Sequence, residues 1–230
     1  MIFPRATGFV VRMKNYSQGK EQEVILNYFG GRIGSLLDIG ANDGEFFSNS
    51  RALMILGWHG VLVEPSPVVF DRLRNLYAPS LYGPTVGASQ VKFGNATLIR
   101  AAITERNGPI EFHESGTHLN KGDLSLLSTT KPEELNRWKK SGEEFTKTVV
   151  RGIDFDTLVN QAEQSHFDFI SIDAEGADWS ILRQIDLKAV GCQLLCVEYN
   201  AKDENKFKER AAQFGMKLIF INYENLIFGV

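Results

Sequence analysis

Asp38, Gly40, Asn42, Gly44 and Glu64 are the first residues of this chain whose types and spacing suit chemistry. They lie in Leu36-Leu37-Asp38-Ile39-Gly40-Ala41-Asn42-Asp43-Gly44 and in Gly60-Val61-Leu62-Val63-Glu64-Pro65, which read as strand, tight turn, helix, second strand and a terminal acid. Gly40 and Gly44 let the backbone turn sharply against a ligand, and Asn42 is the residue type that next best tolerates positive φ. Glu64 follows Gly44 by about twenty residues, the separation that brings a carboxylate back beside the turn to accept hydrogen bonds from a ribose diol. The plain alternative is a β-turn-α corner with a surface Glu. Two apolar strands and a terminal acid together favour a nucleoside site.

Charge then selects among nucleosides. A nicotinamide dinucleotide wants G-x-G-x-x-G with its pyrophosphate on the following helix N-terminus. Here Asp43 brings a negative charge to that place, and like charges repel. S-adenosylmethionine (SAM) has an uncharged linkage, and Asp38 can face its cationic end.

A second acidic strand end follows at Phe169-Ile170-Ser171-Ile172-Asp173-Ala174-Glu175-Gly176, and a third at Leu195-Cys196-Val197-Glu198. Ligands of open α/β sheets bind beyond the carboxyl ends of the strands, so Asp173 and Glu198 overlook the same crevice as Gly40. Simple helix N-capping by Asp173 or Glu175 is the competing account. Asp173, Glu175 and Glu198 also offer hard oxygen ligands for Mg²⁺, but no diagnostic metal motif is present and a metal-free site is the preferred expectation. His113 and His118 are candidate proton acceptors, set against the reading of ordinary surface or packed histidines.

These groups need a scaffold. The alternation of apolar strands with helical stretches predicts a mostly parallel sheet covered on both faces. Ser17 is expected to cap a helix over 18–29, within an N-terminal segment 17–34, with Val24, Ile25, Tyr28 and Phe29 as its apolar stripe. Further helices are expected at 44–57, with Phe46 and Phe47 in the core, at 67–77, at 178–184 and at 203–214. Strands are expected at 35–40, 60–65, 97–103, 149–155, 167–173 and 193–199. Asn107-Gly108 reads as a hairpin turn, 79–97 as a surface insertion, and 217–230 as a terminal antiparallel hairpin. The irregular span 114–147 reads as a lid or substrate loop, with a short helix over 132–140.

With 230 residues, 43% of them hydrophobic, the chain suits a single domain over 1–230. A net charge of −3 and the absence of a long basic run argue against nucleic acid. No stretch approaches the roughly 18 apolar residues of a membrane span, and a cytoplasmic protein is expected. Cys192 and Cys196, four apart on an expected strand, would share one face too far apart for a disulfide.

L-D-I-G-A-N-D-G, V-E-P, S-I-D-A-E-G-A-D and the closing N-L-I-F-G-V resemble the FkbM family of SAM-dependent methyltransferases, as do the lead 16–21, Ala101-Ala102-Ile103 and 150–158. The resemblance implies a Rossmann-like class I methyltransferase fold, α/β, with seven strands and the last antiparallel. It implies methyl transfer to a hydroxyl, often on a sugar or natural-product scaffold, and so a carbohydrate or small-molecule acceptor as partner. Carried over residue by residue, Asp38, Gly40, Ala41, Asn42 and Gly44 would shape the methionine pocket. Glu64, beside Pro65, would take the ribose, Ala102 would lie near the adenine, and Asp173 would stand by the methionine amine and the reacting methyl. A non-catalytic SAM-binding subunit and an NAD-dependent oxidoreductase are the rival functions.

Overall fold

The computed structural model describes residues 13–77, 89–116, 125–139 and 142–230. Its elements are α1 (Glu21–Phe29), β1 (Ser35–Ile39), α2 (Arg51–Ile55), β2 (His59–Val63), α3 (Pro67–Tyr77), β3 (Gln90–Phe93), β4 (Ala96–Ile99), β5 (Ala102–Ile103) and β6 (Gly108–Ser115). After them come α4 (Pro132–Lys139), β7 (Phe145–Ile153), α5 (Phe155–Ala162), β8 (Phe169–Ile172), α6 (Asp178–Leu182), β9 (Leu194–Glu198), α7 (Glu204–Ala212), β10 (Lys217–Ile221) and β11 (Asn225–Gly229).

The main sheet has eight strands in the order β10-β11-β9-β8-β1-β2-β4-β3, where seven were expected, and β5-β7-β6 form a second sheet. From β9 to β4 all neighbours are parallel, while β11, β10 and the edge strand β3 are antiparallel. The parallel strands are apolar at successive positions because both faces are covered. Alternation along β1 puts Leu36 in the cluster with Ile25, Phe29, Leu53 and Phe70, on the side of α1, α2 and α3. Leu37 belongs to the opposite cluster, with Leu158, Ile181 and Phe207 of α5, α6 and α7. Both leucines are fully buried, so truncating either to Ala costs about 2–5 kcal/mol.

Several elements depart from the sequence expectation for local reasons. The helix expected over 44–57 shrinks to α2, because polar side chains capture the backbone N–H groups before it. Asn42 Oδ1 accepts from Asp43 N, Asp43 Oδ1 accepts from Glu45 N and Phe46 N, and Ser48 Oγ accepts from Arg51 N. Such bonds compete directly with helix formation, and Phe47 sits at φ 54. Phe46 and Phe47 are therefore half-buried, not core. Helix α1 starts at Glu21 with Lys20 at its N-cap, although Ser17 Oγ still accepts from Gln22 N. Its buried stripe includes Leu26 in place of Val24 and Tyr28.

The strand expected over 97–103 splits between the two sheets as β4 and β5, and β3 occupies part of the expected insertion, whose residues 79–88 lie outside the described ones. Gly108 does open a strand, but β6 pairs with the distant β7. Asn107 is held instead by Asp154, donating to its Oδ2 and accepting from its N–H. Asp154 in turn accepts from Thr157 N as the N-cap of α5, which begins where extended structure was expected. Cys192 precedes β9, so it joins one face cluster while Cys196 joins the other; the two do not share a face. No helix among the described residues is long and apolar enough to cross a membrane.

Candidate active site

Strand register places the acids. Ile39 pairs with Val63 on one side and Ile172 on the other, and Ile172 pairs with Val197. The next residue of each strand is Gly40, Glu64, Asp173 and Glu198, so these four emerge at one level at the carboxyl edge of the sheet. A cavity of about 290 Å³ opens there, near the lower end of the roughly 300–1,000 Å³ of small-ligand pockets. Asp38, Gly40, Ala41, Asn42, Glu64, Pro65, Ala102 and Asp173 all border it.

Gly40 joins two of the loops. At φ +85 it brings β1 so close to β8 that an added Cβ would lie 1.7 Å from the Asp173 carbonyl oxygen. Its glycine is thus demanded by contact between loops as well as by the turn. Gly44, at φ +78, packs against Leu73 and Tyr77 of α3, where a Cβ would come within 2.6 Å and 2.9 Å of their side chains, and it is not among the lining residues. Asp43 spends its Oδ1 on the turn's own amides and is also outside the lining. The charge that bears on the ligand comes from other residues.

Those residues are Asp38, Glu64, Asp173, Glu175, Glu198 and Glu224, against Arg137 as the basic residue among the described lining. Glu64 is 6% exposed and accepts from Ser66 N (2.8 Å) and Asn42 N (3.1 Å). Burial pushes its carboxyl up to about 8, against the pull of those two amides. Burial likewise lifts Asp38 to about 6, opposed by hydrogen bonds from Ser50, whose Oγ donates at 2.5 Å, and Ser171. Asp173 rises to about 8 through burial and then through its negative neighbours Asp178, Asp38 and Glu21. Glu175 and Glu198 stand well above the usual carboxylate range, from burial first and from Asp173 next. A cavity that holds so many carboxyls up in pKa favours a positively charged occupant.

Asp173 and Glu175 do not act as plain helix caps. The N-cap of α6 is Ala177, with no side-chain bond, while Asp178 in its first turn accepts from Ala174 N (2.7 Å) and Gly176 N (2.9 Å) of the preceding turn and leaves the two acids at the cavity. His113 lies elsewhere. Alternation along β6 turns Phe112 to the cavity, while His113 pairs with Glu111 at 3.1 Å and is absent from the lining. His118 lies outside the described residues.

The structure adds lining residues that sequence reasoning did not single out. Phe46, Phe47, Ser48 and Asn49 come from the stretch read as helix, Gln18 from the lead, and Asn200, Tyr223 and Glu224 from turns. Positive φ at Asn200 (51°) is a turn feature that Asn readily supplies, and it was the available signal. From the expected lid, residues 125–128 with Thr130, Arg137 and Trp138 border the cavity.

The model of the methyltransferase FkbM domain matches residues 38–218, most of the chain and every acid that lines the cavity except Glu224. The chain belongs to the FkbM methyltransferase family. A solved FkbM methyltransferase from Methylobacillus flagellatus KT shares the fold at 13% identity and TM-score 0.50, over 86% of this chain and 44% of that one. The chain therefore spans less than half the length of that relative. The METTL16 MTase domain aligns at 10% identity over 90% of this chain and 64% of its own, with TM-score 0.49. The precorrin-6y C5,15-methyltransferase of Geobacter metallireducens GS-15 aligns at 11% identity over 95% and 92%, with TM-score 0.44. No curated protein matches the sequence. At such identities the solved structures speak to the fold, which is the α/β class I methyltransferase type with an extra antiparallel edge strand and a second small sheet.

Proposed function

We propose that this FkbM-family chain uses SAM to methylate a hydroxyl on a carbohydrate or related small molecule. The observation that carries the reading is the register-matched row Gly40, Glu64, Asp173 and Glu198 around an acidic cavity. The donor set fits the cofactor. Each Glu64 oxygen accepts one backbone N–H and keeps a lone pair for a ribose hydroxyl. Asp38 and Asp173 suit the ammonium and sulfonium charges, and Ala101, Ala102, Ile103 and Phe112 offer an apolar slot for adenine. A pyrophosphate would meet the same carboxylates as repulsion, which counts against NAD.

When bound, SAM supplies an electrophilic methyl group on a sulfonium. The chain's own part is to hold the acceptor oxygen in line with it and to keep water out, and alignment of this kind lowers a barrier by several kcal/mol. Trp138, with Arg137 stacked 4.6 Å from its ring centroid, offers a flat surface for a sugar ring at the cavity border.

Calorimetry with S-adenosylhomocysteine and NAD, followed by mass spectrometry of a panel of sugars and hydroxylated small molecules incubated with SAM, tests the reading. Tight binding of the thioether and a methylated hydroxyl product are expected. NAD binding at least as tightly as S-adenosylhomocysteine would overturn the cofactor assignment. Cofactor binding with no product from any acceptor would favour a non-catalytic binding subunit.

A further inference from the structure

One carboxylate oxygen each from Asp173, Glu175 and Glu198 lies within 4.8 Å of the others. Two opposite ligands of a Ca²⁺-sized ion stand about 4.8 Å apart, and those of Mg²⁺ about 4.2 Å, so small side-chain adjustments serve either. The ligands come from the ends of β8 and β9, held in register by Ile172 and Val197. Glu198 supplies an independent sign of a missing partner. It is 6% exposed and borders the cavity, yet its Oε2 has no hydrogen-bond partner. An anionic oxygen buried in this way is costly unless something positive reaches it.

We infer that Asp173, Glu175 and Glu198 form a binding site for a hard divalent cation, Mg²⁺ or Mn²⁺, at the carboxyl ends of β8 and β9. Three oxygen donors leave further coordination positions for water and for a substrate hydroxyl. A cation there would take the acceptor oxygen as a ligand and lower its pKa, a use that rests on the proposed hydroxyl methylation. Binding of the ion itself does not rest on it. This proposal differs from the metal-free expectation drawn from the sequence, and it would give the hydroxyl an activating group that His113, outside the cavity lining, does not provide.

Mn²⁺ reports the site without turnover. The full chain, stripped with chelator and dialysed, is titrated with Mn²⁺ while the free-ion electron paramagnetic resonance signal is followed. One bound ion per chain is expected, displaced by Mg²⁺, with affinity weakened at least about tenfold in Glu198→Gln and in Glu175→Gln. Glu111→Gln, outside the cavity, should bind as the parent chain does. Circular dichroism checks the fold, and should Glu198→Gln fail to fold, the half-buried Glu175 carries the comparison. No Mn²⁺ retained at millimolar concentration, or affinity unchanged in the folded variants, overturns the inference. S-adenosylhomocysteine calorimetry on the same samples separates the two ideas. Tight thioether binding without Mn²⁺ overturns the metal site alone, whereas Mn²⁺ binding without thioether binding overturns the cofactor reading alone.

Discussion

Two aspartates stand at opposite ends of β8 and are treated in opposite ways. Asp168, just before the strand, accepts from Ser35 N (2.9 Å), Ser35 Oγ (3.1 Å) and Gln193 Nε2 (2.6 Å), and it faces His166 at 3.4 Å. Burial pushes Asp168 up, but the bonds from Ser35 and His166 outweigh it, and its pKa falls below the ordinary value. Asp173, just after the strand, faces Asp38 and Asp178, and burial with those charges lifts it to about 8. One end of the sheet is satisfied and tied; at the other, acids crowd one another at the cavity. The comparison teaches that the same residue type at a strand end is held ionised where donors outweigh burial and held neutral where burial adds to neighbouring acids.

The harshest way to break this contrast is to part the loops at the acidic end. Gly40→Val places atoms against the Asp173 carbonyl and forces a branched residue to positive φ, so it should cost more than ~3 kcal/mol and abolish S-adenosylhomocysteine binding. Thermal melting and calorimetry read both effects, and a variant with a parental Tm would show that the two loops need not touch.

A paired substitution sharpens the contrast. Asp168→Ala should lose about 2–3 kcal/mol of stability, the cost of stranding several donors, and leave cofactor affinity alone. Asp173→Asn, which replaces an acid already held protonated, should leave the melting temperature of the empty protein unchanged or raised. It should also weaken S-adenosylhomocysteine by about tenfold or more. Equal loss of stability in the two variants would erase the distinction between the ends.

The acidic end should also dominate the pH response of the empty protein. Asp38, Glu64 and Asp173 have folded-state pKa values above their ordinary ones, at about 6, 8 and 8. Between pH ~4 and ~8 the folded protein therefore binds more protons than the unfolded chain, and stability falls as pH rises. Melting scans over that window should show a decline of several degrees, reduced in Glu64→Gln. A Tm that climbs steadily from pH 5 to 8 would contradict the reading. The smallest effect belongs to His113→Ala, whose turnover should stay well short of the roughly 10²–10⁴-fold loss expected of a general base. A loss of that size would put His113 back in the chemistry.

Much of this site was legible because it is local. Gly40 and Glu64 are each one residue past an apolar run, and the alternation of such runs with helices already implies a parallel sheet whose ligand sits at the strand ends. The helix over 67–77 and the terminal hairpin were legible for the same reason, matching α3 and the β10-β11 pair. The stretch 44–50 was not legible. Its apolar spacing suits a helix, and only the hydrogen bonds of Asn42, Asp43 and Ser48 show that side chains have taken the backbone donors. Asn107-Gly108 misled likewise, since the turn chemistry was present but Asp154 and β7 supplied the partners.

By itself the sequence determined which residues are able to turn, to stay buried and to carry charge, since those properties belong to each side chain and its immediate neighbours. It thereby determined the parallel core, the glycine turn and the acid that follows β2. Tertiary structure decided which of the acids share one cavity, that Asp43 and His113 face away from it, and that Glu198 stands beside Asp173 with an oxygen left over. The reason is physical. A carboxylate's pKa and its partners depend on burial and on charges brought from distant parts of the chain, and strand register, settled only when the sheet assembles, sets those distances.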